Sequence, residues 1–221
     1  QATSVGDLTR IFLTALEASH VKSEPLLERI FRKRPTVKSD YMVLHNRLSI
    51  SAPENFLSDP LNLLRLFEEA LRTGLLIHPD AMRLISANLH LFDETLRQTP
   101  EAQRIFLDLL LKHGNPERAL RRMNELGALS AFIPEFEPIV AMMQFNMYHS
   151  YTVDEHTIQC ISNLAEIENK LLIEDLPVAS GILENGINRR VLYIALLLHD
   201  IGKGMLRPHE EIGSEIAGEI A

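Results

Sequence analysis

His199 and Asp200 follow directly on the apolar run Val191-Leu192-Tyr193-Ile194-Ala195-Leu196-Leu197-Leu198. An imidazole and a carboxylate at the end of a segment that must be buried have to be paired, hydrogen-bonded or bound to a metal, because an uncompensated buried charge is strongly unfavourable. Metal binding is the economical solution; a histidine paired with a neighbour at a helix terminus is the alternative. Adjacent helical side chains diverge, so both residues reach one ion only near the helix end, where Gly202 and Gly204 let the backbone turn away. Lys203 lies beside the doublet, either as a cation for a phosphate oxygen or as an ordinary lysine at a helix C-terminus.

Upstream stands Tyr151-Thr152-Val153-Asp154-Glu155-His156-Thr157, and downstream His209 precedes Ile212, Ile216 and Ile220 at helical spacing. This order resembles the HD superfamily of metal-dependent phosphohydrolases. The resemblance implies His156 as the first metal ligand, His199 and Asp200 as the ligand doublet and His209 as the additional histidine of some branches. His199, Asp200 and Lys203 are then the catalytic set. A final aspartate ligand has no candidate up to Ala221 and is expected beyond it. The segment Met205-Leu206-Arg207-Pro208 before His209 departs from the family, which usually carries an acidic or polar residue ahead of this histidine, and the role of His209 stays open between a second-metal ligand and a phosphate contact. Two imidazoles and a carboxylate suit Mn²⁺, Fe²⁺ or Zn²⁺, whereas the resemblance implies Mg²⁺ or Mn²⁺.

The elements that position these residues are helices. Thr152 and Glu155 have capping-box spacing, so a helix is expected from Val153, with Ile158, Ile161, Leu164 and Ala165 burying its inner face. Asp154 and Glu155 are first-turn acids that complement the helix dipole, and Asp154 has the alternative of orienting His156. Cys160, one turn past His156, reads as a buried inert thiol. His149 reads as a surface or packing residue.

Further upstream the same start and stop chemistry recurs. Asp59-Pro60 to Gly74, Thr99-Pro100 to Gly114 and Asn115-Pro116 to Gly127 each set a capping side chain before proline and a glycine after the last turn. His78-Pro79-Asp80 opens another helix, with Met82, Ile85, Leu89 and Phe92 along its apolar face. Tyr41-Met42-Val43-Leu44, a turn at His45-Asn46-Arg47, and Leu48-Ser49-Ile50 predict a β-hairpin, the only strand signal in the chain. Ser4 to Leu16 predicts a first helix, and His20 to Lys38 a connector.

The block from Asp59-Pro60-Leu61-Asn62-Leu63-Leu64-Arg65-Leu66-Phe67 through Leu126-Gly127 to Phe136, continued by Met142-Met143-Gln144-Phe145 and the HD helix, resembles the bifunctional uridylyltransferase/uridylyl-removing enzymes of nitrogen signalling. The CCA-adding tRNA nucleotidyltransferases are the nearest rival. The expected fold is mainly α: residues 1–58 as the end of a nucleotidyltransferase-associated region with one helix and the hairpin, 59–137 as a helical linker, and 138–221 as the first part of an HD domain incomplete at its C-terminus. The absence of the nucleotidyltransferase head, the missing start methionine and the abrupt end read as a piece of something longer. The resemblance implies a phosphodiesterase that releases UMP from a tyrosine of uridylylated PII signal-transduction protein. The alternatives are a CCA-adding-like or nucleotide-cleaving HD phosphohydrolase and a non-catalytic regulatory HD module.

Composition bounds these readings. A chain of 221 residues with 46% hydrophobic content can bury a sizeable core, and a formal charge of −8 argues against a general nucleic-acid surface. Arg29-Ile30-Phe31-Arg32-Lys33-Arg34 is a local basic run, read as a solvated face. The single cysteine forms no internal disulfide, and no apolar run of membrane-spanning length is present, so a cytoplasmic protein without a membrane partner is expected.

Overall fold

The computed structural model describes residues 35–143, 151–184, 186–203 and 209–220. The predicted first helix, most of the connector, the basic run at 29–34 and His149 lie outside the described residues. The first elements are β1 (Tyr41–Leu44) and β2 (Arg47–Ile50), paired antiparallel with Tyr41 opposite Ile50 and Leu44 opposite Arg47. The turn is two residues rather than three. His45 and Asn46 both take positive φ, 48° and 59°, the twist that matches a right-handed hairpin, and Arg47 already belongs to β2. The hairpin is not the only strand structure: β3 (Leu76–Ile77) lies parallel to β2, with Leu48 opposite Ile77, giving a three-stranded sheet. Two residues are too few to show an alternating pattern in sequence.

Helices α1 (Pro53–Leu57) and α2 (Asn62–Thr73) follow the hairpin. Although Asp59-Pro60 predicts a start at Pro60, α2 begins at Asn62, because the Asp59 carboxylate accepts from the Leu61 N–H at 3.1 Å and from Arg65 Nη1 at 2.5 Å, holding a turn ahead of the helix. Leu63, Leu64, Leu66 and Phe67 form its fully buried face, and Gly74 closes it at φ 72°. Glu69 is fully buried on the same helix. Burial pushes its carboxyl pKa up, but hydrogen bonds from Arg72 and the Lys38 N–H outweigh that and hold it below the usual range.

The capping chemistry read from the sequence recurs in the next helices. His78 Nδ1 accepts from the Asp80 N–H ahead of α3 (Pro79–Ala87); a 3₁₀ turn (Leu89–Leu91) and α4 (Glu94–Arg97) follow. Thr99 Oγ1 accepts from the Ala102 N–H at the head of α5 (Pro100–Leu111), and Asn115 Oδ1 from the Glu117 N–H at the head of α6 (Glu117–Glu125). After α7 (Ala128–Phe132) and a 3₁₀ segment (Pro134–Ile139) come α8 (Val153–Glu168), α9 (Pro177–Glu184), α10 (Arg189–Leu198) and α11 (His209–Ile220). Helix α9 has no counterpart among the elements expected from the sequence.

Helix α2 packs on α5 and α6; α6 packs on α8; α8 packs on α10, which also reaches α5. The buried apolar side chains form one cluster running from Tyr41 to Ile201, so the linker helices and the HD helix share a continuous core. At its end Glu168 accepts from Arg189 and from the Tyr193 hydroxyl at 2.8 Å, tying the C-terminus of α8 to the first turns of α10.

Candidate metal centre

Helix α8 begins at Val153 as the capping-box spacing predicts, but the box itself does not form. Thr152 makes no side-chain cap hydrogen bond, and Glu155 pairs with Arg121 of α6. Asp154 does not serve His156 either: buried at 4% exposure, its Oδ2 accepts from Asn124 Nδ2 at 2.7 Å. Both first-turn acids are therefore spent on fastening α8 to α6, which sets where the next residue, His156, can stand.

His156 and Cys160 share one face of α8, with Sγ 3.6 Å from Nε2 and 3.9 Å from Nδ1. His199 comes from the C-cap of α10 and brings its ring centroid to 5.7 Å from that of His156, at 60°. Nδ1 of His199 lies 2.7 Å from the Leu196 carbonyl oxygen; a proton donated there leaves Nε2 with the lone pair in the neutral ring. The ligand-type atoms of His156, Cys160 and His199 all lie within 4.8 Å of one another. This trio fits a divalent metal by donor chemistry and by convergence from two helices.

Asp200 stands beside the trio rather than within it. Its Oδ2 lies 3.3 Å from His199 Nε2 and accepts from Lys203 Nζ at 2.7 Å. Burial pushes the Asp200 carboxyl up, yet hydrogen bonds from His199, in the ring form that carries a proton on Nε2, and from Lys203 prevail and hold it well below the usual carboxylate range. The Asp200 hydrogen bond raises the His199 pKa against the opposing effect of burial. Burial, helped by the Asp200 charge, pushes the Cys160 thiol up.

Of the residues singled out in the sequence, His156 and His199 come together, Asp200 touches His199, and Lys203 is bound to Asp200. His209 opens α11, and its side chain lies outside the described residues. Close packing brings α11 to the HD turn at Gly213, where a Cβ would stand 3.6 Å from the backbone nitrogen of Gly202. Cys160, read as inert, is half-buried and faces the two imidazoles. The signal for it was the four-residue spacing from His156, which sets two donors on one helix face.

Residues 41–132 match the family described as the uridylyltransferase GlnD third domain, and residues 153–221 match the HD domain family. Over all of its 221 residues the chain is 70% identical to the bifunctional uridylyltransferase/uridylyl-removing enzyme of Ruegeria pomeroyi. It is 64% identical over 220 residues to the enzyme of the same name from Cereibacter sphaeroides. The chain belongs to this bifunctional uridylyltransferase/uridylyl-removing family. It spans 24% of the length of each of these relatives. In this family member the third-domain match takes in the sheet and helices α1 to α7, and the HD match opens at Val153, the first residue of α8. No helix among the described residues is long and apolar enough to cross a membrane.

Proposed function

We propose that residues 138–221 form part of the uridylyl-removing site of such an enzyme, a metal-dependent phosphodiesterase that hydrolyses the bond between UMP and a tyrosine of uridylylated PII protein in the cytoplasm. The observation that carries this reading is the convergence of His156 and His199, with Asp200 adjacent, inside the HD match. The names of the two relatives support the substrate class.

In this reading His156 and His199 hold a divalent ion through ring nitrogens, with Asp200 and His209 as further ligands. A bound ion would polarise the phosphoryl oxygens and make a water molecule a better nucleophile at neutral pH. Mg²⁺ and Mn²⁺ are the ions expected from the family, and Fe²⁺ or Zn²⁺ suit the imidazoles. The chain's own groups do the rest. Leu196 fixes the His199 ring through its carbonyl, so Nε2 is directed rather than free to rotate. Lys203 donates to Asp200 and helps to hold its carboxyl well below the usual carboxylate range, so Asp200 stays ionised at neutral pH and remains an acceptor for a water proton. Lys203 provides positive charge for a phosphate oxygen. The leaving group is a tyrosine phenolate, with a reference pKa of about 10, which departs without a strong acid beside it.

The test is made on the full-length protein. His199→Ala and Asp200→Asn are expected to abolish UMP release from uridylylated PII while uridylyl transfer persists. Equal loss of both activities, with the melting temperature unchanged, would overturn a separate hydrolytic site at these residues.

A further inference from the structure

We propose that Cys160 Sγ is an additional ligand of the ion held by His156 and His199, making the centre a mixed nitrogen and sulfur site that selects a soft divalent ion such as Zn²⁺ or Fe²⁺ over Mg²⁺. The inference rests on the preceding reading that the two histidines hold a metal.

Three features of the site converge on this. His156 and Cys160 are four residues apart on α8, one turn along one face, the spacing by which a single helix presents two donors to one ion. Their N···S separation is 3.6 Å. Bond lengths of about 2.05 Å for nitrogen and 2.3 Å for sulfur at a tetrahedral angle require a separation of about 3.5 Å, so the pair already stands at chelating distance. The third donor, His199, arrives from the end of a different helix, and all three ligand atoms fall within 4.8 Å of one another. A thiol that serves only to fill the core is enclosed by apolar side chains, whereas Cys160 is half-buried and turned toward two imidazoles.

Coordination breaks the S–H bond heterolytically: sulfur gives its electron pair to the ion, the proton leaves to solvent, and nothing is oxidised or reduced. The consequence is selectivity. Mg²⁺ wants octahedral oxygen at 2.0–2.1 Å and gains little from sulfur, while thiolate ligands favour Zn²⁺ and iron.

The experiment uses the full-length protein, freed of metal by chelation, then loaded anaerobically with Co²⁺ as a spectroscopic probe. Binding stoichiometry and the near-ultraviolet thiolate-to-cobalt charge-transfer band are read together. Wild type is expected to bind Co²⁺ and show the band. Cys160→Ser is expected to retain Co²⁺ with the band gone and Zn²⁺ affinity reduced about tenfold or more, on the scale of changes seen when groups around a metal are altered. Mg²⁺ binding is expected to be unaffected. Stoichiometric Co²⁺ without the band, or a band that survives Cys160→Ser, would overturn thiolate ligation and leave the histidine site standing. Failure of wild type to bind Co²⁺, Zn²⁺ or Mg²⁺ at all would overturn the histidine site and this inference with it. The wild-type spectrum decides the question even if the variant folds poorly.

Discussion

Asn124, in the last turn of α6, donates from Nδ2 to Asp154 Oδ2 at 2.7 Å, and Asp154 lies in the first turn of α8, two residues before His156. This part-buried bond joins the third-domain match to the HD match. The other oxygens, Asn124 Oδ1 and Asp154 Oδ1, are buried without a hydrogen-bond partner among the described residues, so the pair is incompletely satisfied there. Asn124→Leu therefore strips a buried carboxylate of its donor and is expected to destabilise the protein by about 3 kcal/mol. Asp154→Leu combined with Asn124→Leu should recover much of that loss, since removing both polar partners is better tolerated than removing one. Thermal unfolding of the single and double variants checks this. A single variant as stable as wild type would show that the junction is not held here.

The Glu168 cluster predicts a pH dependence. Burial pushes the Glu168 carboxyl up, but hydrogen bonds from Arg189 and Tyr193 outweigh it and depress the pKa. A depressed folded-state pKa means that its stabilisation is fully present above the unfolded value, about 4.3, and is lost as pH falls through the lower folded value. Glu168→Gln is expected to lower stability at pH 7 by about 1–2 kcal/mol and to flatten the loss between pH 5 and pH 3. Melting temperatures of both proteins across that range are the measurement; parallel curves would count against the cluster.

Leu66 tests the linker core. It is fully buried on α2 with Leu63, Leu64 and Phe67, and Leu66→Ala should cost about 2–5 kcal/mol. The melting temperature should fall while the Michaelis constants for uridylyl transfer and UMP release stay near wild type. A kinetic defect at unchanged stability would mean that this face binds something rather than filling the core.

Much of the helical framework was determined by sequence alone, for a physical reason visible at His78, Thr99 and Asn115: a capping side chain bonds to a backbone N–H two or three residues ahead, so its effect is local. The HD doublet was legible because an apolar run ending on an imidazole and a carboxylate has few stable outcomes. Pairings between distant positions were decided only by tertiary structure. β3 takes its conformation from lying against β2, across α1 and α2. Glu155 leaves its predicted cap for Arg121, and Asp154 takes Asn124, because α6 packs across the head of α8. Cys160 had the same helical spacing from His156 whether inert or ligating. What distinguishes the two is the arrival of His199 on the same side, fixed by how α10 packs on α8, and no residue within a turn of Cys160 encodes that contact.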